Sequence, residues 1–258
     1  MTNDEDFEAI DWQGRPVDCV ACPQHALLES GRCKPAYACI NDRYAKRIDR
    51  FFRWNPAMGN EGLSHPYFEV RAIAARHADL FRLPALLNDK DETVRWSAAQ
   101  RLPERYLEQL ADDPHREVRI RIAQRLDPAR LGRMMYDADY YVRAMVARRL
   151  PVALLPLLRD DSDDQVRLEV ARRLPAESLF TMRGDADPGV RAIVAQRLPP
   201  GLLAAMADDP DCTVRHEVAR RIAIADLGPL LEDEDEVVRA AARERVDCES
   251  PFHGRSLQ

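Results

Sequence analysis

Apolar residues return along most of this chain with a period of 24 residues. A Val-Arg pair opens each of eight copies, at Val70-Arg71, Val94-Arg95, Val118-Arg119, Val142-Arg143, Val166-Arg167, Val190-Arg191, Val214-Arg215 and Val238-Arg239. Counted from that Val, the fifth position is Ala or a β-branched residue, the sixth is Ala in seven copies and the ninth is commonly Leu. Positions one, five and nine fall on one face of a helix, which a tenth-position proline (Pro103, Pro151, Pro175, Pro199) brings to an end. The twentieth position is Asp in every complete unit, from Asp89 to Asp233, and is followed by proline in Asp113-Pro114 and Asp209-Pro210. That pairing predicts an N-cap and first helical residue. Between stop and start, an invariant Leu at position fourteen and a Leu or Met at seventeen give the i, i+3 spacing of a short helix, α or 3-10. No segment alternates with period two, so no strand is expected. The unit is helix plus short helix, and its unbroken repetition predicts an all-α solenoid.

The arginine of each Val-Arg pair lies inside the apolar arc of its helix, so its head group needs a partner. For Arg143 the candidates are Asp137 and Asp161, one unit apart, and a ladder of such contacts would fix the register of the stack. The alternative is a stripe of arginines gripping nucleic acid. An acidic partner recurring with the same period favours the ladder. A second series at the eighth position, Arg101 to Arg245, is open between the two readings.

Four of the six cysteines crowd near the N-terminus: Cys19, Cys22, Cys33 and Cys39. A CxxC turn brings two thiolates to one centre and the later pair completes a tetrathiolate site. The five residues between Cys33 and Cys39, and Pro23 directly after Cys22, suit an iron–sulfur cluster better than a zinc knuckle, with zinc as the alternative. Arg32 and Lys34 flank Cys33. Cys212 and Cys248 have no partner motif and read as incidental thiols. The histidines keep no repeat position, and only His25 stands close to a cysteine.

Charge and composition refine this picture. The 258 residues are 46% apolar and 32% charged with a net charge of −6, which gives no general attraction to polyanions. Lys34, Lys46 and Lys90 are the only lysines. The acidic start Met-Thr-Asn-Asp-Glu-Asp leads into no apolar core and no run of about 18 apolar residues exists. A soluble, cytoplasmic protein with no membrane partner is expected, a setting in which clustered cysteines favour metal over disulfide.

Three regions are expected: residues 1–66, a cysteine module with a helix over Asn41–Trp54 and a Pro/Gly/Asn-rich connection; residues 67–246, the repeat array; and residues 247–258, a polar tail. The repeat and the cysteines together resemble the leucine-rich repeat variant (LRV) family. Val94–Glu117 follows its VRxxVAxRLPxxxLxxLxxDPxxE pattern with Ala98 for the second Val, and Cys19, Cys22, Cys33 and Cys39 match its cysteine module. Departures lie in the end units, at His77-Ala78-Asp79 and Arg243, as solvent-facing caps permit. The resemblance implies alternating α and 3-10 helices in a right-handed superhelix with an N-terminal 4Fe–4S module. It brings no established activity, only an association of the cluster-bearing form with nitrogen-fixing bacteria.

Three functions compete at this point. The first is a non-enzymatic scaffold binding a partner protein on the superhelix, with the cluster as redox sensor, clamp or electron relay. The second is an enzyme or electron-transfer component, against which stands the absence of a phosphate loop or a nucleophile–base constellation. The third is a nucleic-acid-binding solenoid with an arginine-lined groove, against which net acidity weighs.

Overall fold

The structure, a computed structural model, describes residues 8–249 and comprises two compact units, Met1–Leu126 and Asp127–Gln258. Among the described residues every regular element is helical; β pairing is confined to the isolated bridges Ile10–Pro16, Asp11–Asp42 and Lys34–Ala38. The first unit contains α1 (His25–Glu29), α2 (Ala45–Trp54), α3 (Phe68–Ala74), α4 (Glu92–Ala99) and α5 (Arg116–Arg125). The second contains α6 (Tyr140–Arg149), α7 (Asp164–Ala171), α8 (Pro188–Arg197), α9 (Cys212–Ala219) and α10 (Glu236–Glu249). The short elements between repeat helices are 3-10 turns, as at Leu80–Asn88, Pro128–Tyr136, Val152–Leu158 and Pro200–Met206, or an α turn joined to a 3-10 turn, as at Ala176–Met182. Leucines three apart suit this choice, because a 3-10 helix stacks i over i+3.

The expected apolar positions form the core. In the first unit Val70, Val94, Val118, Leu83 and Leu107 are buried; in the second Val142, Val166, Val190, Val214, Leu131, Leu155, Leu179 and Leu203 are. Each such side chain contributes about 1.5–3 kcal/mol by leaving water.

The twentieth-position aspartate is not the N-cap expected from the sequence. The helices begin three residues later, and the cap lies two residues beyond it: Asp91 accepts from Thr93 N, Asp139 from Tyr141 N, Asp163 from Gln165 N, Asp187 from Val190 N and Asp211 from Thr213 N. Pro114 and Pro210 therefore precede α5 and α9 instead of opening them. The twentieth aspartate has a different task. Asp161 receives Nε and Nη2 of Arg143, both at 2.8 Å, while its Oδ1 accepts the amide of Asp163 at 2.9 Å. The same fork joins Arg71 to Asp89 and Arg95 to Asp113 in the first unit, and Arg167 to Asp185, Arg191 to Asp209 and Arg215 to Asp233 in the second. The remaining Nη1 of Arg143 reaches the carbonyl of Asp137, one unit back, at 2.8 Å. Both partners considered from the sequence are used, one through its carboxylate and one through its backbone.

The eighth-position arginines are structural too. Arg101 donates to the carbonyls of Ala75 and Ala78, Arg197 to those of Ala171 and Leu174, and Arg245 to those of Ala219 and Ile222. Each caps the C-terminal end of the preceding repeat helix, where orphan carbonyls and the negative end of the helix dipole await a cation.

The repeat plan also reaches back before Val70. Asp42 Oδ1 accepts the amide of Tyr44 at 2.9 Å, as Asp89 Oδ1 accepts that of Asp91. Buried Arg47, Phe51, Phe52 and Asn55 of α2 and its C-cap then occupy positions one, five, six and nine, with Pro56 at ten. The segment expected to be a mere connection forms a 3-10 turn, Pro56–Met58, and a helical turn, Gly59–Gly62. After a one-residue shortening, Gly59 and Gly62 stand where other units have Leu. A Cβ on Gly59 would come within 2.7 Å of Ala78 N, and one on Gly62 within 2.6 Å of Phe52 Cζ. The Phe52 ring at the sixth position thus takes the volume beside Gly62, and the His77–Ala78 backbone that beside Gly59. His65 takes the twentieth position: its Nδ1 accepts the amide of Tyr67 at 3.1 Å and its carbonyl accepts Arg71 Nη1 at 2.8 Å, the two contacts that Asp89 makes with Asp91 and Arg95. Ile48 holds the arginine's place, so both members of the ion pair have changed together.

Candidate metal centre

The four N-terminal cysteines are placed by turns and by α2. Cys19 and Cys22 lie on the turn before α1, half-exposed, with Val20 between them open to solvent. The Cys22 carbonyl accepts the amide of His25 at 3.0 Å, and the Cys19 carbonyl meets His25 Nδ1 at 2.7 Å. His25 therefore supports the turn from its backbone side. Cys33 donates its amide to Leu27 O, and Cys39 donates its amide to Arg47 O in α2. The loop between Cys33 and Cys39 is closed by the Lys34–Ala38 bridge and carries Ala36 at φ 56°, a left-handed conformation unusual for a residue with a Cβ. Asn55, at the end of α2, holds the carbonyl of Arg32 at 2.7 Å and so anchors the chain entering Cys33. Arg32 and Lys34 are exposed.

Cys33 and Cys39 are buried in one apolar cluster with Ile40, Ile48, Phe51, Phe52, Val70 and Ile73, which joins the module to α3. All six cysteines are free thiols. A hydrogen bond between Cys39 and Cys33 holds the Cys33 thiol below its ordinary pKa and, with burial, drives that of Cys39 far up. Burial raises Cys19, reinforced by the negative charge that Cys39, Cys22 and Asp18 would place beside it. The sulfurs thus share one electrostatic site.

Two N–H groups point at the Cys22 sulfur. The Gln24 amide lies 3.4 Å from Cys22 Sγ, and Asn41 Nδ2 lies 3.3 Å from it. A polar atom set of four thiols with N–H donors aimed at sulfur fits a thiolate-held cluster, whose charge such donors disperse. Among the described residues no three His, Cys, Asp or Glu side chains converge tightly enough to chelate a single ion as they stand.

Cys212 and Cys248 belong to the second unit and are exposed. Neither Asn41 nor His65 belongs to a motif that would single it out. His65 carries a signal in hindsight, because it precedes Asp89 by one 24-residue period. His253 lies outside the described residues.

Comparison with known proteins agrees with this arrangement. A family model described as "LRV protein FeS4 cluster" matches residues 9–61, and one described as "Leucine rich repeat variant" matches residues 188–211. A solved structure, "A leucine-rich repeat variant with a novel repetitive protein structural motif", is 43% identical, covers 89% of this chain and 98% of its own, and superposes with a TM-score of 0.84. An "Uncharacterized 27.7 kDa protein in nifB 3'region" of Rhodobacter capsulatus is 54% identical over 101 residues, 39% of this chain and 41% of the relative. The match thus spans about two fifths of that curated relative. The expected all-α repeat fold is borne out, and the N-terminal module is that of an iron–sulfur protein.

Proposed function

Because this chain belongs to the leucine-rich repeat variant family, we propose that it is a protein-interaction scaffold carrying one 4Fe–4S cluster on Cys19, Cys22, Cys33 and Cys39. The carrying observation is the thiol constellation itself: four free cysteines in one electrostatic site, two of them in the core that joins the module to the first Val-Arg helix. When bound, the cluster supplies a one-electron redox centre. The chain's part is to bury Cys33 and Cys39, to present N–H groups to Cys22, and to leave the Cys19–Cys22 turn near solvent. Zinc is the less favoured occupant, since the five residues between Cys33 and Cys39 and Pro23 directly after Cys22 suit a cubane better than a zinc knuckle.

A scaffold is favoured over a nucleic-acid binder because the arginine series are engaged inside the fold, as Arg143 with Asp161 and Arg197 with Ala171 and Leu174 show. Exposed Tyr136, Tyr140 and Tyr141 give the second unit aromatic surface of the kind enriched at protein interfaces. The sequence offers an enzyme neither a phosphate loop nor a nucleophile–base motif. A soluble cytoplasmic setting is part of this reading; among the described residues no helix is long and apolar enough to cross a membrane. A Rhodobacter capsulatus relative in the nifB 3' region supports nitrogen fixation as the physiological setting of this reading.

The test is anaerobic affinity capture from a native extract, comparing the brown holoprotein with a variant lacking all four N-terminal cysteines. A protein retained in stoichiometric amount and resistant to nuclease supports the scaffold. Retention that vanishes on nuclease treatment would move the array to nucleic-acid binding.

A further inference from the structure

The hydrogen bonds around Asn41 continue beyond the cysteines. Its Nδ2 donates to Cys22 Sγ at 3.3 Å and its Oδ1 faces His65 Nε2 at 3.4 Å. The orientation of that amide is decided by the imidazole. His65 Nδ1 accepts the backbone N–H of Tyr67 at 3.1 Å, so Nδ1 carries the lone pair and Nε2 carries the hydrogen. A donor at Nε2 requires the carbonyl oxygen of Asn41 opposite it, and the amide hydrogens then point at sulfur. Trp12 packs edge-on against the imidazole with ring centroids 4.7 Å apart, fixing its plane. Burial, the main cause, pushes the His65 pKa below its ordinary value, which keeps the ring neutral.

His65 is also the twentieth-position residue of the hidden unit, where later units carry Asp. An aspartate there could only accept, so it would turn the Asn41 amide round and set its carbonyl oxygen against Cys22. The exchange of Asp for His, together with that of Arg for Ile48, converts an ion-pair position into a hydrogen-bond donor directed at the cysteine site. The carbonyl of His65 still accepts Arg71 Nη1, and Arg71 forks onto Asp89. The cysteine site is thereby tied to the first rung of the Arg–Asp ladder.

We propose that Asn41 sets the reduction potential of the cluster by donating to Cys22, and that His65 is the positioning residue that holds Asn41 in the donating orientation. This rests on the cluster reading above. N–H···S bonds stabilise the reduced, more negative cluster more than the oxidised one and so raise its potential. Asn41 reaches Cys22 through its side chain, and neither Asn41 nor His65 is one of the four cysteine ligands.

The experiment is a redox titration of anaerobic holoprotein followed by absorption and electron paramagnetic resonance, in the wild type and in Asn41→Ala, His65→Asp and His65→Gln. Asn41→Ala should lower the preference for the reduced state roughly tenfold, a shift of about 59 mV to more negative potential for one electron. His65→Asp should shift the same way, and His65→Gln, which can still donate to Asn41, should stay near the wild type. Should Asn41→Ala fail to retain its cluster, the opposite behaviour of the two His65 variants carries the test. Brown variants with unchanged potentials overturn the proposal while leaving the cluster reading intact; a wild type without iron or sulfide removes both. Nitrogen NMR of the apoprotein gives a cluster-free check: the Nε2–H tautomer of His65 supports the relay, and the Nδ1–H tautomer overturns it.

Discussion

The cysteine module and the repeat array solve the same problem in opposite ways. In the array one contact is used over and over: the fork from Arg143 to Asp161 is the fork from Arg191 to Asp209. In the module each contact occurs once, as with Asn41 on Cys22 or Asn55 on the Arg32 carbonyl. Repetition makes the array locally tolerant, because each unit depends only on its neighbours. The module has no spare copy of anything. The hidden unit from Asp42 to His65 lies between these regimes, keeping the geometry of a repeat while its side chains have been exchanged for service to the cysteines.

The contrast can be tested by where damage spreads, beginning with the largest effect. Alanine at Cys19, Cys22, Cys33 or Cys39 should abolish or convert the broad absorption near 400 nm, while far-UV circular dichroism keeps most of its helical signal. A collapse of helicity in all four variants would show that the array depends on the module and that the contrast is wrong.

Next comes the ladder. Asp161→Ala leaves Arg143, only 13% exposed, without its carboxylate and should destabilise by about 3 kcal/mol in denaturant melts. Two residues on, Asp163→Ala removes an ordinary N-cap and should cost about 1 kcal/mol. Equal costs would mean that the ladder is no more than a capping device. The ladder should also respond to acid. At Asp89 and Asp161 burial raises the carboxyl pKa, but the arginine hydrogen bonds and the i+2 amide together outweigh it; at Asp233 the bond from Arg215 dominates, and all three are held below the ordinary value. A depressed folded-state pKa contributes stability that is present above the unfolded value of about 3.9 and is lost as pH falls through the lower folded value. Acid unfolding of the wild type should therefore set in below about pH 4, and Asp161→Ala should show a shallower pH dependence there.

The smallest effects belong to the thiols outside the module. Cys212→Ala and Cys248→Ala are expected to change stability by no more than about 0.5 kcal/mol and to leave the colour untouched.

What could be read from the sequence follows the same division. Strict periodicity exposed Val70 to Val238, the leucines at fourteen and the arginine–aspartate pairing, because a repeated contact leaves a repeated residue. The N-cap was misplaced by two residues, since Asp89 and Asp91, or Asp161 and Asp163, are chemically identical and only the backbone decides which one caps. Arg197 and its equivalents were undecided because their acceptors are carbonyls, which leave no mark in a sequence. The four cysteines were legible as a spacing. Asn41 and His65 were not, because each is used once and because His65 hides its register behind a change of residue type.

The central claim is the identity of the group held by Cys19, Cys22, Cys33 and Cys39. Its most direct test is the iron, sulfide and zinc content of the chain purified under anaerobic conditions, since air can degrade a cubane and empty the site. The account predicts about four iron and four sulfide per chain and no stoichiometric zinc, as a cubane on four thiolates requires. One zinc per chain with no sulfide would contradict it.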